Sequence, residues 1–363
     1  MAKIISISTA VPPYQHRQND IRDFMLKAYG VDEPRQRVLR HLYRHSGIDT
    51  RYSVIPDYTA PMDEWTFFPR SENLEPFPMM ESRMAAFHTY ACPLSLQAAE
   101  KCLEGHLPKG EITHLITVSC TGMSAPGLEL MLMQAMGLNN TVEHSAINFM
   151  GCYAAVHGLK QAAAIVGAQP DAKVLVVCTE LCTLHFQKNY HEDAITAPLL
   201  FADGSAAVLI TDNAYPAPGL QLDSFYAEVC WSGSHAMTWE LGAAGFLMSL
   251  SGYVPELIRQ DFNPMVQRAL QKAGYQQQAV QHWCIHPGGA RILDAIGSCL
   301  SLQENDLAPS RNILKTYGNM SSATLLFVLK EIWETKSQGP GTTIFGAAFG
   351  PGLTMESLLM KVV

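Results

Sequence analysis

Three residues in this chain combine a reactive side chain with a setting that could expose it. The first lies in Ile147-Asn148-Phe149-Met150-Gly151-Cys152-Tyr153-Ala154-Ala155. An apolar strand ends at Gly151, which permits a tight turn, and a helix of small residues follows. Cys152 then sits at a helix N-terminus, where unpaired N–H groups and the helix dipole favour a thiolate, the form that attacks a thioester. A free cysteine by itself is more often a packed apolar residue. The second is His286, in Trp283-Cys284-Ile285-His286-Pro287-Gly288-Gly289. A histidine that closes an apolar strand before such a turn is expected to point out of the sheet edge, where it can pair with a thiolate or donate to a carbonyl oxygen. The third is Asn319, in Tyr317-Gly318-Asn319-Met320-Ser321-Ser322-Ala323, expected at a helix start. Its neutral amide can stabilise an enolate without adding a base, although Asn before a helix is also a common cap. Together the three, at three strand-to-helix turns, are far more specific than each alone.

The elements that must position them alternate along the chain. Strand patterns cover 3–11, 114–119, 145–149, 173–178 and 205–211, and helix patterns cover 19–29, 82–103, 127–136 and 154–166. The long helix is expected to bend near Pro93. Residues 45–80 are irregular. After 220 the order repeats: strands at 221–230 and 282–285, helices at 254–273, 290–300 and 319–334, and closing strands at 342–348 and 353–361. The alternation predicts an α/β fold with a mainly parallel sheet between helical layers. No flexible linker separates the halves, taken as 1–215 with the cysteine and 216–363 with the histidine and asparagine.

Composition removes several function classes. The net charge of −8 lacks the basic footprint of a nucleic-acid binder. No apolar run reaches the roughly 20 residues of a membrane span. The opening MAKIISISTAVPPY is a poor secretory signal. Nine cysteines without framework spacing predict a reduced, cytoplasmic protein. Cys178 and Cys182 lack a second ligand pair, so no metal site is expected.

The Gly-Cys turn, Ile-His-Pro-Gly-Gly, Tyr-Gly-Asn-Met-Ser-Ser-Ala and Phe349-Gly350-Pro351-Gly352 together resemble the type III polyketide synthases, the chalcone synthase-like enzymes, in a bacterial form. The resemblance implies a thiolase-like αβαβα fold of two pseudo-repeated halves, a homodimer and no cofactor. It implies a starter acyl-CoA loaded on Cys152, repeated decarboxylative condensation with malonyl-CoA aided by His286 and Asn319, and a final cyclisation. Phe201 matches one gate aromatic. Met248 falls at the second, or Phe246 if the alignment slips. Cys120 and Thr121 match the pocket stretch, Ser321 and the Phe349-Gly350 turn match pocket positions, and the methionine that crosses the dimer interface falls near Ala125. His185 stands where the family carries a small chain-length residue, either shortening the cavity or orienting a carbonyl. Arg44, Arg51 and Arg291 are the candidates for the CoA phosphates.

Two rival readings share the fold. A ketoacyl-ACP synthase III would run one condensation on an acyl carrier protein. An inactive thiolase-fold partner subunit would commonly have lost the nucleophile.

Overall fold

The computed structural model describes residues 1–191, 194–335 and 339–363. Its strands, in chain order, are β1 (Ala2–Ala10), β2 (Tyr14–Arg17), β3 (Thr50–Ser53), β4 (His114–Ser119), β5 (Glu143–Asn148), β6 (Val174–Leu181), β7 (Asp203–Asp212), β8 (Leu220–Val229), β9 (Met237–Gly242), β10 (Gly245–Leu250), β11 (His282–Ile285), β12 (Thr343–Gly350) and β13 (Thr354–Val362). Nine of them join in the order β11-β12-β13-β8-β1-β7-β6-β4-β5. This order contains a seam: β1 and β8 share only the pairs Lys3↔Gln221 and Ile4↔Leu220. On either side of it, β1–β7 and β8–β13 pair along most of their lengths. The nine strands therefore divide into two sheets, one built before residue 213 and one after residue 219, while β2–β3 and β9–β10 form separate two-stranded sheets.

The expectation of a mainly parallel sheet is corrected. β4–β5, β4–β6 and β11–β12 are parallel, but β1–β7, β6–β7, β8–β13, β12–β13 and the seam are antiparallel. Between β12 and β13 stand only Pro351, Gly352 and Leu353, far fewer residues than a parallel crossover needs. Local alternation of strand and helix does not say which strand returns beside which.

Between the sheets lie the helices Ala154–Ala168 and Thr324–Thr335. Val156, Leu159 and Val166 of one and Leu325, Leu326 and Leu329 of the other share a core with Val176 and Val208 of the first sheet and Ile344 and Leu358 of the second. Burial is nearly complete in the first turns of both helices and gives way to polar, more exposed positions in their later turns. Gly158 is required here: a Cβ on it would lie 2.9 Å from Val176 Cγ1. Outside the sheets, the helix Met80–Leu103 packs on β1, β6 and β7, and Val254–Ala273 packs on β8 and β13. Pro93 stands inside Met80–Leu103 without ending it. The result is an αβαβα stack of two similar halves. Each middle helix starts close to a candidate residue, two positions after Cys152 and five after Asn319.

Among the described residues, no helix is long and apolar enough to cross a membrane, no cluster of metal-ligating side chains forms, and the nine cysteines are free.

Candidate active site

The turn that presents Cys152 is held by close backbone approaches. Phe149 (φ 62°) and Gly151 (φ 84°) both occupy the left-handed region, which an ordinary side chain resists. A Cβ on Gly151 would sit 2.3 Å from Pro351 Cδ, and one on Gly350 would sit 2.5 Å from Tyr153 Cδ1 and 3.3 Å from the Cys152 nitrogen. The Phe-Gly-Pro-Gly turn thus braces the cysteine from the other half of the molecule. Gly151 N–H also donates to Cys120 Sγ at 2.9 Å. Cys152 lies just outside the helix, whose N-cap is Tyr153, and is only 5% exposed. Burial pushes its thiol up to about 12, with Ser321 and Asn319 pulling the other way.

His286 continues β11, its N–H donating to Ala347 O at 2.8 Å. It does not project from the sheet edge: the ring is buried, and neither nitrogen has a hydrogen-bond partner. The Gly288-Gly289 turn folds back over it, with Gly288 beside both Ile292 and the imidazole. Burial pushes its pKa down to about 3, so the ring is neutral. Leaving both nitrogens without partners costs on the order of 1–3 kcal/mol each, a cost that a bound substrate can remove.

Asn319 is not at a helix start. Gly318 (φ 71°) ends the helix Ala308–Tyr317, and the Asn319 backbone is taken by a parallel bridge to Phe201. Its N–H donates to Leu200 O and its carbonyl accepts from Ala202 N–H, both at 2.9 Å. The residue therefore cannot enter the helix that follows. Its Oδ1 accepts from Ser321 N–H at 2.9 Å and from Thr324 Oγ1 at 3.4 Å. That fixes the amide and leaves Nδ2 as the donor. Cys152 Sγ lies 4.0 Å from Oδ1.

These side chains meet at two chambers. The smaller is lined by Cys152, His286, Asn319, Phe201, Met237, Met248 and Phe349 among others. The larger is lined by Cys152, Cys120, Thr121, His185, Ser321, Phe201, Met237 and Met248, and extends past Arg51 and Tyr58 to Ile21, Met25 and Phe186. Cys152 belongs to both, and Phe201, Met237 and Met248 stand where they join. Met248, and not Phe246, lines both chambers. Phe246 is stacked on His185, with ring centroids 4.4 Å apart, and packs edge-on to Phe149.

His185 is a wall and not a free polar group. Its Nε2 bonds to Thr121 O at 2.7 Å and its Nδ1 accepts from Phe246 N–H at 3.3 Å. These partners fix the Nε2–H tautomer. Burial pushes the pKa down to about 3. Of the two roles expected of it, shortening the cavity remains and orienting a carbonyl does not, because both nitrogens are already engaged.

Of the three arginines, Arg44 and Arg291 are exposed. They belong to adjoining segments: a Cβ on Gly47, just past the helix Glu33–Arg44, would lie 3.0 Å from Ala290 Cβ. Arg51 is only 3% exposed. Its Nε and Nη1 are engaged by Gln18 Oε1, Pro198 O and Phe201 O, and its Nη2 is buried without a partner, so it does not present its charge to a phosphate at the surface.

Sequence reasoning missed Glu180, the last acidic residue of β6. It is fully buried. It accepts from Cys120 N–H and Thr121 Oγ1, each at 2.9 Å, and from Ser322 Oγ at 2.5 Å. Burial raises its carboxyl to about 7 against those donors. The one cue was a lone glutamate in the apolar run 174–181.

This is the architecture of a thiolase-like condensing enzyme with a cysteine, a histidine and an amide around one chamber. The chain matches the chalcone and stilbene synthases along almost all of its length, their N-terminal domain over residues 1–214 and their C-terminal domain over 221–363. It belongs to that family, the type III polyketide synthases, acyltransferases that work by decarboxylative condensation. It is 29% identical to the alpha-pyrone synthesis polyketide synthase-like Pks18 of Mycobacterium tuberculosis, covering 100% of this chain and 92% of that one. It is 30% identical to probable polyketide synthase 1 of Dictyostelium discoideum over 99% of this chain, which spans only 11% of that much longer protein. Among solved structures, PKS-I of the brown alga Ectocarpus siliculosus superposes with a TM-score of 0.93 at 28% identity, covering 100% and 98% of the two chains. The C-terminal type III domain of the Dictyostelium hybrid Steely1 gives 0.92 at 29% identity, covering 100% and 99%.

Proposed function

We propose that this chain loads a starter acyl group from CoA onto Cys152 and extends it over several rounds with malonyl-CoA before cyclisation. The observation that carries the reading is the position of Cys152 in the wall of both chambers. His286 takes the thiol proton as Cys152 attacks the starter thioester, and the CoA thiolate that departs takes that proton away as the free thiol. In the smaller chamber, His286 and Asn319 Nδ2 then donate to the malonyl thioester oxygen. The bond to the carboxylate breaks, CO2 leaves, and its electron pair remains as an enolate that these donors stabilise. The enolate carbon attacks the acyl-Cys152 thioester, expelling the cysteine thiolate and leaving the extended chain on CoA, from which it returns to Cys152 for the next round. The larger chamber takes the growing chain, and its apolar wall of Ile21, Met25 and Phe186 supports a starter with an apolar tail.

No resident cofactor enters this chemistry, because decarboxylation supplies the carbanion. Arg44 and Arg291, on adjoining segments at the surface, are the cations for the CoA phosphates. A homodimer is supported by exposed Met123 and Leu130 and by the outer sheet edge at β5, where every residue is exposed or half-buried. A reduced cytoplasmic setting accords with nine unpaired cysteines.

The experiment is mass spectrometry of products from malonyl-CoA and a panel of short and long acyl-CoA starters without carrier protein. The expected products carry more than one extension. Single extension that requires an acyl carrier protein would instead support the ketoacyl-ACP synthase reading.

A further inference from the structure

The geometry points to Arg51 and Gln18 as positioning residues that hold the gate aromatic Phe201 and the amide of Asn319 as one unit. The inference rests on the reading of Asn319 as the amide that assists decarboxylation.

The hydrogen bonds of the segment 198–202 carry the argument. Arg51 Nη1 donates to Pro198 O at 2.8 Å and to Phe201 O at 2.5 Å. Gln18 Nε2 donates to Leu199 O at 2.9 Å. Asn319 N–H donates to Leu200 O at 2.9 Å. Four successive carbonyls are thus claimed, three by the Arg51–Gln18 pair and the fourth by the residue being positioned. The pair is itself joined, Arg51 Nε donating to Gln18 Oε1 at 2.9 Å. The arginine stem also reaches the other side of the bridge. A Cβ on Gly318 would lie 2.8 Å from both Arg51 Cγ and Cδ, so Asn319 follows a glycine seated directly on that stem. One side chain therefore touches the gate segment with its head and the Asn319 loop with its stem.

Charge makes this more than packing. Arg51 is buried, and its hydrogen bonds end on neutral acceptors. The nearby carboxylate of Asp203 is committed to Val54 N–H and to Thr183. A buried guanidinium without a bonded anion is a costly way to fill space. What it supplies is Nη1, which bridges carbonyls three residues apart, and Nε, which holds Gln18 from a second position, while Nη2 has no partner. A lysine, with its donors on one nitrogen, cannot serve both positions at once.

The test separates two partial reactions. One is acylation of Cys152 by starter CoA in a single turnover. The other is decarboxylation of malonyl-CoA alone, in which the enolate takes a proton from water and leaves as acetyl-CoA with release of CO2. Arg51→Lys is expected to slow decarboxylation about 10- to 100-fold, the scale of a small misplacement, and to change acylation by no more than about twofold. Gln18→Glu keeps a partner for Arg51 and loses the bond to Leu199; it should give a smaller loss with the same split. Asn319→Ala sets the full effect. Parallel loss of both reactions with a lowered melting temperature, or no loss in either while Asn319→Ala loses decarboxylation, overturns the positioning role. If Arg51→Lys does not fold, Gln18→Glu decides by the same split. Unimpaired decarboxylation in Asn319→Ala would instead overturn the reading of Asn319, and the positioning role with it.

Discussion

Burial moves Cys152 and His286 in opposite senses, the thiol up to about 12 and the imidazole down to about 3. Each shift disfavours a charge on that group alone. Passing the proton from sulfur to nitrogen creates two opposite charges in one small chamber, and their attraction offsets part of both penalties. The thiolate then depends on the histidine, which can be measured. Alkylation of Cys152 by iodoacetamide should level off well below pH 12 in the native protein. In His286→Ala it should be slower by about 10²- to 10⁴-fold at pH 7, the usual scale for a lost general base, and keep rising toward pH 12. Coincident profiles for the two proteins would contradict the pairing. The helix N-terminus contributes less than the sequence suggests, because Tyr153, not Cys152, is the cap.

At the scale of elements, the site is three turns tied together by β6, β7 and the loop after Gly318. Glu180 on β6 holds the Cys120–Thr121 stretch after β4 and Ser322 at the entrance to the second middle helix. Loss of its charge should therefore act on several elements at once. Glu180→Gln keeps the volume but replaces an acceptor oxygen with a donor, so the Ser322 hydroxyl must reverse and accept, or one of these three bonds fails at a cost of about 1–3 kcal/mol. Thermal unfolding of the variant at pH 8 measures the cost net of relief from a buried charge, and an increase in stability would mean that the charge cost exceeds the value of the bonds. Much of this level was legible in the chain. The strands at 114–119 and 282–285 and the helices at 254–273 and 290–300 have the expected bounds, because clean apolar runs end at turn residues. Asn319 did not, because its conformation is set by Phe201, more than a hundred residues away. The same holds for Arg51, whose partners at 18, 198 and 201 leave no local trace. Strand direction was also illegible, since β7 and β13 return antiparallel through partners that periodicity does not name.

For the molecule as a whole, four buried titratable groups oppose one another. The pKa values of His185 and His286, depressed from 6.5 to about 3, contribute stability that is present above pH 6.5 and lost as the pH falls toward 3. Glu180, raised from 4.5 to about 7, and Asp203, raised from 3.8 to about 6, contribute stability that is present below their ordinary values and lost as the pH rises through 7 and 6. Between pH 6.5 and 4.5 the unfolded chain gains two protons on the histidines while the folded chain holds two on the carboxyls, so the effects nearly cancel. Removing Glu180 as glutamine should unmask one proton, steepening the acid loss by about 1.4 kcal/mol per pH unit. Equal slopes for variant and native protein in denaturant melts at pH 6.5, 5.5 and 4.5 would contradict the buried carboxyl. The two halves also meet at one site, since Cys152 comes from the first and His286 and Asn319 from the second, with the chain expected to return to the cysteine after each extension. Intact-protein mass spectrometry after brief incubation with a starter acyl-CoA, followed by peptide mapping, tests this most directly. The expected result is a single acyl adduct on the peptide containing Cys152, lengthened when malonyl-CoA is added and absent from Cys152→Ala. An adduct that persists in Cys152→Ala, or that maps to another cysteine, would contradict it.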